Sequence, residues 1–327
     1  MSEVVSLLTL NQLVSSVRGQ LFDSTVTEIF FSSVATDSRQ VVENTLFVPL
    51  IGELQDGHKY VESAAEKGAS VIFVANSSIS EYSEKYQSIS KKGVCLIIVE
   101  NTLTALQQAA SCYVSQFPSL IKVGITGSSG KTTTKELVAS VLKQHFDVVM
   151  TEGNLNSETG LPLSVFKIST HHQVGVFEMG MNRKGEISEL AAVLFPDFGI
   201  ITNIGTAHIG ILGTKDQIAH EKKQIFSHFS EKSIGFVPET DSYASFLAEE
   251  VKGTIKTFGL QSMPTVTNVQ NLGIKGTSFF YKNRSITLSL PGKYNFYDCL
   301  AAIAIGEELG LSSLEIKQGI ENIHSLF

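Results

Sequence analysis

A glycine-rich stretch, "GITGSSGKTTTKE", occupies residues 124–136 and directly follows the β-like segment "IKV". A strand, a glycine-rich turn and a helix in succession bring backbone N–H groups and the positive end of a helix dipole to one point, where an anion is stabilised. Lys131 adds a charge that suits the outer phosphates of a nucleotide, and the Thr132 hydroxyl is a suitable Mg²⁺ ligand. The stretch therefore predicts a nucleotide-phosphate site.

The spacing of this loop differs from the complete Walker pattern, which has a glycine five residues before Gly130. Ile125 stands at that position, and the loop reads G-S-S-G-K-T with glycines at 127 and 130. A glycine-rich turn with a solvated lysine is the alternative interpretation. The strand-like segment before the loop and the helix-like segment after it favour phosphate binding.

Further candidates lie downstream, and each has an ordinary structural alternative. Glu178 ends "VGVFE", where its carboxylate would lie at the carboxyl edge of a sheet, the usual ligand crevice of open α/β folds. The alternative is an ordinary strand-end glutamate. His208 follows another apolar segment, although a lone loop histidine is more often a surface or packing residue. Lys222 and Lys223 would, by themselves, form a solvated cationic helix face.

The segments that must position these residues alternate between strand-like and helix-like patterns. Residues 1–118 contain short β-like segments at 45–50, 70–75 and 94–99 with helix-like segments between them, which indicates a small N-terminal α/β domain. Pro118 follows the last of these helices and marks the predicted domain boundary.

A second alternation extends over residues 119–327. Its first strands are almost continuously apolar, as is typical of a mostly parallel sheet covered by helices, so we predict a P-loop-type α/β domain. Residues 254–290 ("TIKTFGL", "TSFFYK" and "SITLSL" among them) alternate between apolar and polar side chains and predict antiparallel strands at the sheet edge. Two helices complete the chain.

The composition limits the partners. Of the 327 residues, 43% are hydrophobic and 17% charged, and the formal net charge is -7. This charge argues against nucleic acid as a partner, since binding to a phosphate backbone needs a basic face. The three cysteines lack disulfide or metal-ligand spacing, and we find no basic leader and no apolar segment of membrane-spanning length. We expect a cytoplasmic monomer without membrane insertion.

Several stretches, in a fixed order, resemble the Mur ligase family. They are the loop itself, "TEGNLNSETGLPLSVF" at 151–166, "FEMGMNRKGEISELA" at 177–191 and the segment 201–226, while 35–69 resembles the family's uridine-nucleotide domain. The resemblance covers nearly the whole chain. "GNLNSETGLPL" and "EMGMNRKGEI" are most similar to the branch that joins D-alanyl-D-alanine to UDP-N-acetylmuramoyl tripeptide.

The resemblance implies an ATP-dependent ligase of peptidoglycan precursor synthesis. ATP would phosphorylate the terminal carboxylate of the tripeptide, and the amine of D-alanyl-D-alanine would displace phosphate from the acyl phosphate. Lys131 would stabilise the charge on the transferred phosphoryl group. Mg²⁺ would be held by Thr132, Glu178, His208 and, if CO₂ carbamoylates it, Lys222. Carbamoylation needs the neutral amine, and so requires a lysine pKa below its ordinary value.

The same resemblance implies the residues that bind ATP and the UDP-linked substrate. "PGKYNFYDCLAA" at 291–302 corresponds to the family's adenine segment, in which Tyr294 replaces a histidine and Asp298 a second asparagine. Asn295 matches, although it is also a plausible helix N-cap. The implied ATP-binding residues are Thr126, Gly127, Ser128, Ser129, Gly130, Lys131, Thr132, Thr133 and Asn295.

Substrate contacts are implied in two places. In the second domain they are Asn154 and Asn156, in a loop expected over the phosphates, where Ser157 replaces a further asparagine. In the first domain they are Thr36, Asp37, Ser38 and Arg39. Arg39 suits a diphosphate because its guanidinium is planar and always charged, and the alternative is a surface Asp–Arg pair. "DGHKY" at 56–60 also matches the family, without an assignable chemistry.

The family has a C-terminal ligase domain, and this chain ends at "ENIHSLF", near where that domain would begin. Domain closure completes the site in such enzymes, so we expect the chain alone to bind nucleotide and to turn over poorly. Two other interpretations stay open. One is a sister ligase acting on another UDP-peptide or on folate, and the other is a non-catalytic module that binds UDP-muramoyl peptides and ATP. A generic P-loop kinase or GTPase lacks support from a base-specificity motif.

Overall fold

A computed structural model describes residues 6–52 and 55–323 and divides the chain into two compact units. The first contains the residues up to Pro118 together with Val165–Lys167, and the second contains the rest. The last four residues of "ENIHSLF" lie outside the described residues.

The first unit is built on a five-stranded sheet in the order β1-β5-β4-β3-β2, parallel except for β1, which runs antiparallel to β5. Strand β4 is buried along almost its whole length, as its run of apolar and β-branched residues predicts. The strands are β1 (Gln20–Leu21), β2 (Ser33–Ala35), β3 (Thr45–Phe47), β4 (Ala69–Ala75) and β5 (Cys95–Val99), and the helices are α1 (Leu10–Val17), α2 (Val61–Glu66), α3 (Ile79–Lys91) and α4 (Thr102–Val114).

The second unit contains a six-stranded, fully parallel sheet in the order β11-β10-β9-β6-β8-β7 and a separate three-stranded antiparallel sheet, β12-β13-β14. The parallel strands are β6 (Ile121–Thr126), β7 (Val148–Met150), β8 (Val174–Glu178), β9 (Phe198–Ile201), β10 (Ile234–Pro238) and β11 (Thr254–Phe258), and the antiparallel ones are β12 (Val266–Asn271), β13 (Thr277–Tyr281) and β14 (Arg284–Leu288).

Eight helices of the second unit lie within the described part of the chain. Helix α5 packs against α11 and α12, and these helices share one apolar core with the parallel sheet and the small antiparallel sheet. The helices are α5 (Lys131–Leu142), α6 (Gly160–Val165), α7 (Glu186–Leu194), α8 (Ile209–Leu212), α9 (Lys215–Lys223), α10 (Ala244–Ala248), α11 (Lys293–Glu308) and α12 (Ser313–Glu321). None of the helices in the described ranges is long and apolar enough to cross a bilayer.

The α/β class, the parallel sheet and the antiparallel strands agree with the prediction, but one assignment within it was wrong. Residues 254–258, predicted as antiparallel, pair in parallel with β10, and the antiparallel strands form their own sheet instead of an edge. The polar alternation of β11 has another cause: the strand has a single neighbour, and most of its side chains are exposed. The strand Ile234–Pro238, second from the edge of the parallel sheet, was not predicted.

The strand order places β6 between β8 and β9, so the loops that leave the carboxyl ends of these three strands meet at one edge. The register aligns Ile125 of β6 with Glu178 of β8 and with Ile200 of β9. Such a crevice at the carboxyl ends of parallel strands is where open α/β sheets bind ligands.

Candidate nucleotide and metal site

The glycine-rich loop connects β6 to the N-terminus of α5. Gly130 has φ +78°, and a Cβ there would lie 2.6 Å from a carboxylate oxygen of Asp298, so both backbone and space require glycine. The Lys131 ammonium donates to the carbonyl oxygen of Gly127 at 3.0 Å, which folds the side chain back over the loop. Burial lowers the pKa of Lys131, and the Glu178 carboxylate opposes that shift. The loop thus offers N–H groups and a cation to an anion.

The loop that follows β9 braces the glycine-rich loop. The Asn203 amide nitrogen donates to the carbonyl and the hydroxyl oxygen of Ser129, each at 3.0 Å, and the Asn203 side-chain oxygen accepts from the Ser129 N–H at 3.2 Å. The Ser128 hydroxyl accepts from the Gly205 N–H at 2.8 Å. These bonds fix the loop before any ligand binds. Thr126, predicted to bind ATP, is fully buried, so its side chain does not face the crevice, while the Thr133 side chain is half-buried in the first turn of α5.

Glu178 is a buried carboxylate at the carboxyl end of β8 and the centre of a hydrogen-bond cluster with the exposed Thr132 and the half-buried Asn156. Its side chain is 1% exposed and accepts from the Thr132 hydroxyl at 2.9 Å and from the Asn156 amide at 2.6 Å. Its backbone N–H donates to the Thr151 hydroxyl at 3.1 Å. The structure therefore brings together Thr132 and Glu178, which the resemblance assigned to Mg²⁺, and Asn156, which it assigned to the substrate. Asn154 is exposed and only its backbone carbonyl contacts Asn156, at 2.8 Å. Ser157 caps α6.

The Thr132 hydroxyl and the Glu178 carboxylate suit a hard divalent cation only when a bound nucleotide supplies further oxygen ligands. A carboxylate and a hydroxyl are oxygen donors of the kind Mg²⁺ prefers, and Mg²⁺ usually completes its shell with phosphate oxygens and water. Among the described residues, no three His, Cys, Asp or Glu side chains cluster as a closed metal site. Thr132 and Glu178 fit a cation that arrives with nucleotide phosphates.

His208 and Lys222 lie in the same electrostatic environment as Lys131. His208 adopts φ +64° at the start of α8, and its pKa is lowered by burial and then by the charges of Lys222 and Lys131. Lys222 lies on α9 and is 1% exposed. Burial, helped by Lys131 and opposed by Glu221, lowers the pKa of Lys222 to about 7. No carboxylate in the described ranges forms an ion pair with its ammonium.

The two adjacent lysines of α9 have different environments, so they do not form the solvated cationic face that is the ordinary alternative. The Lys223 ammonium donates to the carbonyl oxygen of Phe246 at 2.8 Å and lies 4.4 Å from the centre of the Phe246 ring. Lys222 is instead buried, and its lowered pKa favours the neutral amine, which is the form that reacts with CO₂.

Two buried carboxylates that the sequence did not single out hold the loop between β8 and α7. Glu186 accepts from the Asn182 N–H at 2.5 Å and the Arg183 N–H at 3.3 Å, and Glu221 accepts from the Gly185 N–H at 2.9 Å and the Ile187 N–H at 3.2 Å. Because Glu221 precedes Lys222, these bonds also fix α9. A glutamate that caps backbone N–H groups leaves no signal in hydrophobic periodicity.

A cavity of about 510 Å³ extends from the glycine-rich loop to the start of α11. Asp241 forms one wall, where its carboxylate accepts from the Ile204 N–H at 2.7 Å and the Tyr243 N–H at 2.9 Å. Asp241 follows β10, the strand that the sequence did not predict, so its position was not predicted either. The lining residues are Ser129, Gly130, Thr202, Asn203, Ile204, Gly205, Pro238, Thr240, Asp241, Lys293, Tyr294, Tyr297 and Asp298.

Some residues of the predicted adenine segment, 291–302, line this cavity, and others do not. Tyr294 lines it and is 82% exposed. Asn295 does not line it, and its amide donates to the carbonyl oxygen of Pro291 at 2.7 Å. The N-cap of α11 is Gly292, so the N-cap alternative for Asn295 was wrong. Asn295 instead fastens the first turn of α11 to the chain that precedes it.

The first unit has its own cavity of about 510 Å³, lined by Thr36, Asp37, Ser38, Arg39, Leu50, Gln55, Gly57 and Tyr60. The Arg39 guanidinium donates to the Asp37 carboxylate through Nε at 3.0 Å and Nη2 at 2.6 Å. This bond holds the pKa of Asp37 at about 2. Arg39 is nevertheless 86% exposed, so its remaining N–H groups face solvent. The four residues of the first unit that were predicted to contact substrate therefore line one cavity, whereas Asn154 and Asn156 lie in the second unit.

The "DGHKY" segment at 56–60 contributes Gly57 and Tyr60 to the lining of this cavity. His58 is 1% exposed, and its Nε2 accepts from the Ala75 N–H at 2.9 Å while its Nδ1 lies 2.6 Å from the Asp56 carboxylate. An accepting Nε2 places the proton on Nδ1, so the ring is neutral and donates to Asp56. The chemistry that the sequence left unassigned is structural: His58 and Asp56 fix the turn that contains Gly57 and Tyr60.

The two units are both of the α/β class, and the second carries a glycine-rich loop at the carboxyl edge of a parallel sheet. The description "Mur ligase middle domain" matches residues 125–306, and "Mur ligase family, catalytic domain" matches residues 31–113. The chain belongs to the Mur ligase family.

Individual relatives agree. The UDP-N-acetylmuramoyl-tripeptide--D-alanyl-D-alanine ligase of Treponema pallidum is 45% identical over 91% of this chain and 64% of its own length. A crystal structure of MurF from Acinetobacter baumannii is similar with a TM-score of 0.85 and 30% identity, over 97% of this chain and 68% of that one. MurF of Thermotoga maritima in complex with ADP is similar with a TM-score of 0.72 and 27% identity, over 90% and 66%. The chain thus spans about two thirds of the length of these relatives.

Proposed function

We propose that this chain supplies the substrate-binding and ATP-binding parts of a MurF-type ligase, which joins D-alanyl-D-alanine to UDP-N-acetylmuramoyl tripeptide. The observation that carries the proposal is the meeting of Thr132 with Glu178 directly beside the glycine-rich loop, at 2.9 Å. Together with Lys131 these residues suit Mg²⁺-assisted phosphoryl transfer, in which catalysis consists mostly of positioning and charge neutralisation. The names of the relatives point to the same reaction.

In the first step, a carboxylate oxygen of the tripeptide attacks the γ-phosphorus of ATP, the bond to the bridging oxygen breaks, and ADP leaves. Backbone N–H groups of the loop and the Lys131 ammonium would stabilise the negative charge on the transferred group. In the second step, the amine of D-alanyl-D-alanine attacks the acyl carbon, loses a proton and displaces inorganic phosphate. Mg²⁺, when bound, neutralises phosphate charge, and Thr132, Glu178 and His208 would hold it.

We propose carbamoylation for Lys222, supported by its burial and by a pKa of about 7. At that pKa a large share of the side chain is neutral amine near pH 7. The amine adds to CO₂ and releases a proton, and the carbamate carries a negative charge in place of a positive one. This change would relieve the repulsion between Lys222 and Lys131 and would add an oxygen ligand beside His208.

We assign the cavity of the first unit to the uridine-diphosphate part of the substrate. Arg39 supports this assignment, because its exposed N–H groups match the geometry of a diphosphate. Asn156 would lie near the reacting end of the substrate, and its amide donates a hydrogen bond to Glu178.

The test is a mass-spectrometric assay with ATP, Mg²⁺, UDP-N-acetylmuramoyl tripeptide and D-alanyl-D-alanine. It is run with this chain and again with a C-terminal ligase domain of the family added in trans. We expect the pentapeptide product, with ADP and phosphate in equal amounts, at least when the added domain is present. Tight ATP binding without product in either reaction would instead favour a binding module, and product only with a different UDP-peptide would favour a sister ligase.

A further inference from the structure

Asp298 is a buried carboxyl group packed against the phosphate loop. It lies in the second turn of α11 and is 6% exposed. A Cβ built on Gly130 would lie 2.6 and 2.8 Å from its two carboxylate oxygens, so the carboxyl group is in contact with the last residue of the loop. Asp298 also lines the cavity that Ser129 and Gly130 line. An acid in this position lies next to the place where nucleotide phosphates would bind.

Few neighbouring groups stabilise the ionised form of the Asp298 carboxyl group. In the described part of the chain no lysine, arginine or histidine forms an ion pair with Asp298, and no backbone N–H donates to it. The Thr134 hydroxyl of α5 is its polar neighbour, and the adjacent Cys299 is a buried thiol. Lys293 and Asp241 line the same cavity without pairing with it. Burial raises the pKa of Asp298 to about 7, against the smaller opposing effect of Thr134.

We propose that Asp298 is a proton-linked positioning residue of the nucleotide site: the loop binds nucleotide phosphates when the Asp298 carboxyl group is protonated, and ionisation of that group weakens binding. This inference rests on the proposed function only in taking the loop as a nucleotide site. The protonated carboxyl group is a neutral donor and acceptor against the loop. The ionised group is a negative charge that competes with the phosphates for the same positive end of α5.

If protonation of Asp298 and nucleotide binding are linked, both proton uptake on binding and the pH dependence of affinity follow. A phosphate that repels the carboxylate raises the pKa of Asp298 further on binding, so the complex takes up a proton in the pH range just above neutral. If binding requires the protonated form, nucleotide affinity falls by up to roughly tenfold for each pH unit above the pKa of the free protein.

The experiment is calorimetric titration of ADP with excess Mg²⁺ into the protein from pH 7 to 9, in two buffers of different ionisation enthalpy. The wild type is compared with Asp298→Asn, an uncharged group of nearly the same shape, and with Asp147→Asn, an exposed control. Lys131, His208 and Lys222 are present in all three proteins, so their titration cancels in the comparison. Asp298→Ser serves the same purpose if the asparagine variant does not fold.

We expect Asp298→Asn to bind ADP about as tightly as the wild type at pH 7 and roughly tenfold or more tightly at pH 9, with less proton uptake. The wild type and Asp147→Asn should weaken together with pH. Equal pH dependence and equal proton uptake in the wild type and Asp298→Asn would overturn the inference while leaving the nucleotide site intact. Failure of all variants to bind ADP at any pH would overturn the nucleotide site and the inference with it.

Discussion

Thr132, in the first turn of α5, and Glu178, the last residue of β8, meet through a 2.9 Å hydrogen bond beside the glycine-rich loop. The parallel register of β6 and β8 brings them together, because it aligns Ile125 with Glu178 and so places the start of α5 next to the end of β8. A hydroxyl and a carboxylate at this separation are arranged for an oxygen-liganded cation, and in the free protein each satisfies the other.

Replacing Glu178 with Gln should remove Mg²⁺-dependent activity while keeping the fold. The amide keeps the size of the side chain and an oxygen toward Asn156 or Thr132, but it loses the charge that a cation needs. We expect a loss of about 100-fold or more in kcat, the order seen when a single electrostatic contact to a transition state is removed. The measurement is kcat against Mg²⁺ concentration, with Tm as the check on folding.

Glu231→Gln, an exposed acid in the same unit, is the matched control and should behave as wild type. An E178Q variant with the Mg²⁺ dependence of the wild type would remove Glu178 from the metal site.

Lys222→Met should abolish ligase activity and yet stabilise the protein at neutral pH. In the folded protein the pKa of Lys222 is about 7, below the ordinary 10.5, so unfolding takes up a proton between these values and wild-type stability rises with pH across that window. Below pH 7 the folded protein buries a charged ammonium. The rise should be on the order of 2 kcal/mol between pH 7 and 9, and the methionine variant should lack it.

The measurement is the free energy of unfolding by denaturant at several pH values in CO₂-free buffer. Lys223→Met is the matched control, because it removes the adjacent lysine, which is hydrogen-bonded to Phe246. In a separate assay, activity of Lys222→Ala should return in part with added formate or acetate if a carbamate normally supplies the oxygen ligand. Unchanged activity of Lys222→Ala would exclude the proposed role.

The glycine-rich loop and Glu178 could be located from the sequence because each lies at the carboxyl end of an apolar strand, and parallel strands bring such ends to one sheet edge. Asn156 was implied only by the resemblance to the family. Asp241 could not be predicted in this way, because its strand, Ile234–Pro238, was not recognised. Glu186 and Glu221 bind backbone N–H groups of a loop, which is a three-dimensional property with no sequence periodicity.

The prediction for the edge strand Thr254–Phe258 was wrong because its sequence pattern pointed to the wrong kind of pairing. An edge strand with one exposed side shows the alternation that usually indicates an antiparallel pair, and sequence alone does not separate the two cases. Asn295 illustrates a further limit: its side chain fastens α11 to Pro291, a role that composition and spacing do not distinguish from an N-cap or a ligand contact.

Arg39→Ala should weaken binding of the UDP-linked substrate without destabilising the first unit. The side chain is 86% exposed and, among the residues that the structure describes, its hydrogen bonds go to Asp37, so the Tm should stay nearly unchanged. Loss of a forked, charge-assisted contact to a diphosphate should raise KM for the UDP substrate roughly 10- to 100-fold and leave kcat and the KM for ATP close to wild type.

Arg39→Lys is the informative companion, since a point charge replaces the planar fork and should restore only part of the affinity. An equal rise in the KM for ATP, or no change in either KM, would contradict the assignment of this cavity to the UDP-linked substrate.

Lys135→Met should disturb the proposed Mg²⁺ ligand Glu178 without contacting it. The Lys135 ammonium is 1% exposed, donates to the carbonyl oxygen of Thr151 at 2.9 Å and lies 3.0 Å from Glu136. The Thr151 hydroxyl in turn accepts from the N–H of Glu178. Removing the ammonium leaves a buried carbonyl without its donor, which should cost about 1–3 kcal/mol of stability and loosen Glu178.

The decisive readout is the Mg²⁺ concentration that gives half-maximal activity, measured at a temperature where both proteins are folded. A purely structural role would lower Tm and leave this concentration unchanged, whereas positioning of Glu178 requires it to rise. Lys143→Met, which removes an exposed lysine just after the same helix, is the control and should change neither quantity. Lys135 contacts Thr151 and Glu136, so a rise in the Mg²⁺ requirement would support positioning of Glu178 through Thr151.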